Sequence, residues 1–404
     1  MHGIILQTYN DLKKRYNINV LLVFVLLGHL VWIIVPPFID FASGSWATKP
    51  HHSDFMSFWS AAQFALEGNP LEAYNTALMK QAQITHMGYD DPKGILDWLF
   101  PPIAFFIVLP FGLINYSLAR FVWMAVTTAA YAFVCYKIIP RKTAVLAALA
   151  APALAYNCIF TQTGALTAFL LGGMVICLPK RQILAGILIG VLTFKPQLGV
   201  LAPFALIAGG YWRAFFSASL TAVFLVMAAT LVFSFASWEA FQAALERTVD
   251  INLVSATSLH GIMQTPYSFI QTLTGSLQAA ITIQIIIGIL SVINVIYIWY
   301  HPYSDELKGA VFLVTTALSS FYFQIYEFPI LIVASLLIGR LGLKRGSLPY
   351  ENDLMVLAAI IPYFYQLSEY PIGLLSIGIM IYVVFRRFKQ EYADMTNVSL
   401  PSRV

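Results

Sequence analysis

Residues 19–38, 121–139, 214–234, 279–299 and 373–385 are long runs nearly free of charge. A membrane span needs roughly 20 apolar residues, about 17–25. Lipid offers the backbone no hydrogen bonds, so such runs have to be helical. This one feature removes most folds from consideration. Composition agrees: the chain has 404 residues, 59% of them hydrophobic and only 10% charged, with mean hydropathy +0.76. A soluble domain carries roughly 25% charged residues. The chain is therefore neither a soluble enzyme nor a single-pass receptor, and its expected class is an all-α polytopic integral membrane protein.

The first span is expected at about residues 18–37, and no cleavable leader is expected before it. A loop over 38–98 follows. Apolar segments then lie near 99–115, 117–138, 143–159, 163–179, 182–194, 197–210 and 213–236. A second polar loop covers about 237–276. The last segments lie near 277–300, 308–324, 327–340, 353–367 and 371–386. Residues 1–390 read as one transmembrane domain, with 391–404 as a cytoplasmic tail.

Lysine and arginine counting sets the orientation. With both termini cytoplasmic, and with the proline-rich 99–115 segment dipping in and returning, 17 of the 23 basic residues fall inside. If 99–115 crosses fully, most later loops invert. Twelve spans are expected on this basis. The two large loops and most carboxylates, Asp54 and Glu327 among them, then lie on the outer side. The net charge of +4 sits at helix ends, so no nucleic-acid partner is expected. Cys135, Cys158 and Cys177 lie in apolar runs and give no disulfide framework.

The candidate chemistry starts in the first loop. Phe55, Phe58, Trp59, Ala62 and Leu66 recur at helical spacing, which predicts an amphipathic helix at the membrane interface, ended by Gly68-Asn69-Pro70. Asp54 stands at its start. It reads either as a helix-capping acid or as a general base for an attacking hydroxyl. Three further outer turns are expected nearby: Thr161 to Gly164, Phe194 to Gln197, and Tyr322 to Glu327. Lys195 is an isolated cation between two short apolar segments, either snorkelling or pairing with a phosphate. The second loop supplies Arg247 and His260, the latter either structural or a phosphate ligand.

In sequence order, the Asp54-Phe-x-x-Phe-Trp-x-Ala helix, Gly68-Asn-Pro-x-x-x-Tyr74, Phe100-Pro-Pro, Gln162-x-Gly164, Phe194-Lys-Pro-Gln197, Ser258-Leu-His-Gly and Tyr326-Glu327 resemble glycosyltransferase family 87. Its members are polyprenyl-phosphate-mannose-dependent α-mannosyltransferases with the GT-C fold. The resemblance implies that Asp54 is the catalytic base. It also implies that Trp59, Gln162, Tyr326 and Glu327 line the substrate site. Lys195, His260 and Arg247 are the candidates for the donor phosphate. The last motif usually reads Tyr-Asp, and Glu327 departs from that pattern. The implied partners are a polyprenyl-phosphate sugar, a lipid or glycan acceptor and membrane lipids. No cofactor or metal is expected, and the expected location is a bacterial inner membrane with the site facing the periplasm. A transporter or flippase for a lipid-linked substrate is the main alternative, and a polysaccharide polymerase or ligase is another.

Overall fold

The computed structural model describes residues 23, 25–29, 31, 53–87, 96–248 and 262–398. Most of the expected first span, His260 and the tail beyond 398 lie outside the described residues. Among those described, the chain is helical, and its one β-type pairing is an isolated antiparallel bridge between Met263 and Gln324.

The first loop forms helices α1 (Phe55–Leu66) and α2 (Thr76–Met87), joined by a 3₁₀ turn Pro70–Tyr74. Gly68 takes the left-handed φ of +83° that ends α1, a conformation that side chains with a Cβ resist. Helix α3 (Phe105–Gly112) follows a 3₁₀ turn at Pro102–Ala104, and α4 (Tyr116–Ile138) starts at an Asn115 cap that accepts Leu118 N–H at 2.9 Å. The predicted α1 is present, but it is not an interfacial helix with one wet face. Phe55, Met56, Phe58, Trp59, Ala61, Ala62 and Phe64 are all buried. Helix α3 lies so close that a Cβ on Gly112 would stand 2.9 Å from the Cβ of Ala62. Phe55 and Phe58 pack on Trp123 of α4.

Helices α5 (Lys142–Leu149) and α6 (Pro152–Phe160) bend by 51° at their break. Then come α7 (Gly164–Cys177), α8 (Gln182–Val191), α9 (Ala202–Ala208), α10 (Trp212–Phe233) and α11 (Ala236–Thr248). Helices α12 (Pro266–Thr274), α13 (Leu277–Tyr300), α14 (Asp305–Ser319), α15 (Pro329–Arg345), α16 (Glu351–Ile360) and α17 (Gly373–Val398) complete the described chain.

Among the described residues, four helical stretches can cross a membrane alone by length and composition: Tyr116–Ile138, Trp212–Phe233, Leu277–Tyr300 and Ile325–Arg345. The bent pair α5–α6 makes a fifth if its two halves form one broken span rather than a re-entrant loop. Helix length does not bear out the expected count of twelve. Several expected spans are short apolar helices, Gly164–Cys177, Gln182–Phe194 and Pro196–Ala208, and so is Pro102–Gly112, in the segment expected to dip in and return. Fourteen helical residues in Gly164–Cys177 reach only about 21 Å, against a hydrocarbon core of about 30 Å. Proline is part of the cause: Pro101, Pro102, Pro152 and Pro196 sit where helices stop or restart.

Helix α15 is central, with 78% of its most apolar stretch buried, whereas α10 is peripheral at 6% and turns Phe216, Leu220, Phe224 and Leu231 outward. Without a hydrophobic drive between helices in lipid, close backbone approach decides packing. Gly186 and Gly190 of α8 provide it: a Cβ on Gly186 would come 2.4 Å from the Ala214 carbonyl, and one on Gly190 2.5 Å from Thr221 Cβ. At the other end of α15, Glu306 pairs with Arg340 (3.2 Å) and Lys344, and fully buried Arg387 pairs with Glu351. Glu391 bonds Ser304 N–H at 2.9 Å, so α17 is still docked beyond residue 390.

Candidate active site

Four separate segments converge at one end of the short helices. Asp54, just ahead of α1, is tied by its backbone: its N–H donates to the Phe160 carbonyl at 3.1 Å. Its carboxylate does not cap α1. Instead Oδ2 accepts a 2.8 Å bond from Gln162 Nε2. Ser53 is also not a cap; its hydroxyl meets Tyr116 Oη at 3.0 Å.

The turn between α6 and α7 is shaped for this contact. Thr161 holds φ +54°, a left-handed conformation unusual for threonine. Its hydroxyl donates to the Cys158 carbonyl at 3.0 Å and accepts from Arg120 Nε at 3.0 Å. Gln162 N–H donates to the Asn157 carbonyl at 2.9 Å, and Trp123 Nε1 donates to the Gln162 carbonyl at 3.2 Å. Next to it, Gly164 lets a third segment in: a Cβ there would lie 1.7 Å from the Tyr326 carbonyl. The Tyr326 segment is held in turn by the end of the second loop, where Gln264 N–H donates to Phe323 O (2.7 Å) and Ile325 N–H to Ile262 O (3.0 Å).

The fourth segment brings Lys195, placed between two 3₁₀ turns, Leu192–Phe194 and Pro196–Leu198. It is buried, and it is already paired. Its Nζ donates to Thr163 Oγ1 at 2.9 Å and forms an ion pair with Glu327. Glu327, wholly buried, also accepts from Thr167 Oγ1 at 2.8 Å. The rings of Phe100 and Tyr326 flank the ammonium at 5.8 and 5.4 Å from their centroids. A buried cation without a counter-charge is costly, and Glu327 answers that cost. Lys195 therefore meets any anion as half of an ion pair, not as a free positive charge.

Burial raises the Asp54 carboxyl from 3.8 to about 6; the Gln162 bond and the Lys195 charge pull the other way. A carboxylate titrating near neutrality is suited to taking up a proton and giving it back.

The expected site residues divide. Asp54, Gln162, Lys195, Tyr326 and Glu327 come together. Trp59 does not point into the cluster with a free donor: its indole N–H bonds the Ile114 carbonyl at 3.0 Å, and its ring packs edge-on to His86 and Tyr116. Arg247 stands elsewhere, donating to the Tyr74 carbonyl at 2.7 Å on a recess lined by Leu71, Asn75 and Ala243. His260 is outside the described residues. Sequence reasoning passed over Thr167 and Asn157, and took Thr163 only as part of the 161–164 turn. Thr163 and Thr167 stand one helical turn apart, so a polar pair on one face of an apolar helix was their available signal.

A helical bundle with membrane-length spans, and a polar site closed between short helices, defines an integral membrane protein with chemistry at the ends of its helices. The family model for glycosyltransferase family 87 matches residues 98–322, more than half of the chain, and the protein belongs to that family. It is a membrane glycosyltransferase. The matched stretch contains Gln162, Lys195, Arg247 and His260, while Asp54 and Trp59 precede it and Tyr326 and Glu327 follow it. No curated protein and no solved structure matches the chain.

Proposed function

We propose that the protein transfers a hexose, with mannose favoured, from a polyprenyl-phosphate donor to a lipid- or glycan-linked acceptor, with Asp54 as the general base. The observation that carries this reading is the Asp54 carboxylate, fixed by Gln162, raised to about 6 and standing beside Lys195. The acceptor hydroxyl attacks the anomeric carbon opposite the phosphate. Its proton passes to Asp54 as the new C–O bond forms. The old C–O bond breaks with its electrons going to the polyprenyl phosphate, so configuration inverts. Holding both substrates in line supplies much of the rate. The third N–H of Lys195, not bonded by any described side chain, is available to the departing phosphate. The leaving group is a phosphate monoester, so this scheme calls for no bound metal. We place the site on the non-cytoplasmic face, the side to which the expected topology assigns the two large loops, and take the membrane to be a bacterial inner membrane.

One observation favours a transporter instead: a buried ion pair flanked by short helices is a common feature of substrate pathways in membranes. Reconstitution in vesicles with polyprenyl-phosphate sugars separates the two. Wild type transfers the sugar to an acceptor, and Asp54→Asn lowers the rate about 10²–10⁴-fold without loss of fold. Wild-type turnover by Asp54→Asn ends the base assignment. Movement of the lipid-linked sugar across the bilayer with no transfer ends the transferase mechanism.

A further inference from the structure

Among the described residues, the base of the proposed reaction is held by one side-chain hydrogen bond, and the donor of that bond is itself immobilised. Gln162 Nε2 reaches Asp54 Oδ2 at 2.8 Å, while Gln162 Oε1 accepts the Thr163 N–H at 3.3 Å. The second contact decides which way the amide faces. Rotated by half a turn, it would set an oxygen against the carboxylate and an NH₂ against an N–H, losing both bonds. The main chain of residue 162 is pinned as well, by Asn157 at its N–H and Trp123 at its carbonyl. Among the described residues, Asp54 Oδ1 accepts no hydrogen bond.

We infer that Gln162, rather than binding substrate, is a positioning residue: it fixes the Asp54 carboxylate by Oδ2, keeps it ionised, and leaves Oδ1 to take the proton. This inference rests on Asp54 being the base. An amide N–H bonds the charged form of a carboxyl more strongly than the neutral form, whereas burial opposes the charged form. The groups around Asp54 sort accordingly. Lys195 from the 194–197 turn adds positive charge but shares it with Glu327. Tyr326 approaches from the 325–327 turn. Arg120 of α4 acts one residue away, on Thr161. Among the described residues, Gln162 alone donates directly to the carboxylate.

The test is the pH dependence of kcat/KM, measured between pH 5 and 9 in detergent or nanodiscs with a polyprenyl-phosphate sugar. For wild type the rate falls on the acid side of about pH 6. Gln162→Met keeps the side-chain length and removes the donor. Its acid limb moves up by about one pH unit, the worth of one bond to a carboxylate. At high pH its plateau returns to within about tenfold of wild type. Gln162→Glu, nearly isosteric, sets a second carboxyl against the first and moves the limb further up, since two adjacent acids resist ionising together. It also covers the case in which the methionine variant fails to fold. An acid limb that stays at the wild-type pH in a folded variant overturns the inference, even if the plateau drops, because a merely structural glutamine would do just that. Full activity in Asp54→Asn is a different result. It removes the base itself and is read independently of residue 162.

Discussion

Replacing Lys195 by methionine probes the ion pair at the centre of the site. The change keeps the length of the side chain and removes its charge. It leaves Glu327 wholly buried with one remaining bond, from Thr167 at 2.8 Å. Breaking a buried pair from one side costs about 3–5 kcal/mol, because the surviving charge has neither water nor partner. The reverse change, Glu327→Met, is expected to cost less. Lys195 keeps Thr163, and its charge already acts on the Asp54 carboxylate, which serves as a substitute partner. The double variant Lys195→Met/Glu327→Met removes both charges and is expected within about 1–2 kcal/mol of wild type, since apolar replacement of a buried pair is often neutral. Equilibrium unfolding of all four proteins in one detergent closes the cycle and isolates the coupling. The reasoning is refuted if Lys195→Met alone costs under about 1 kcal/mol, or if the double variant is no better than the worse single one.

Asp54 is expected to trade stability for activity. Its folded carboxyl titrates at about 6, above the ordinary 3.8, so its contribution to stability is fully present below about pH 4 and is lost as pH rises through 6. Asp54→Asn should therefore stabilise the protein at pH 7.5 by about 1–3 kcal/mol, with the gain vanishing below pH 4 in thermal melts. Gly164→Ala puts a methyl group where the Tyr326 carbonyl stands, and a loss of at least about 1–3 kcal/mol, together with transfer activity, should be seen by unfolding and assay. Gly190→Leu wedges α8 off Thr221 of α10, and a lower melting temperature with an unchanged acid limb is the expected outcome.

Much of this protein was readable in advance because lipid simplifies the code. Charge-free runs announced the long helices α4, α10 and α13, and proline placed several breaks. The turns at 161–164, 194–197 and 322–327 were visible as polar residues between apolar segments. Helix depth was not visible, because hydropathy measures composition and the breaks divide runs that read as whole spans. The amphipathic reading of α1 failed for a related reason: Met56, Ser57, Ser60 and Ala61 look like an undemanding face, and only tertiary packing buries them. The partnership of Lys195 with Glu327 spans 132 positions, and spacing carries no record of such a contact. Its clue was chemical: a lone buried cation requires an acid somewhere. Asp54 stands out in the sequence as a candidate, but its bond from Gln162 depends on the left-handed Thr161, which no residue preference foretells.

The same pair bears on how the chain enters the membrane during synthesis. Lys195 emerges from the ribosome well before Glu327, and the segments around it are short and interrupted by Pro196. An unpartnered lysine between short apolar segments adds to the cost of inserting them. Those segments should therefore dwell at the membrane surface, or beside the insertion machinery, until α14 and α15 arrive and neutralise the charge. The site that begins at residue 54 is thus finished late, and truncation ahead of residue 327 should leave an incompletely inserted chain, open to protease at residues 192–198.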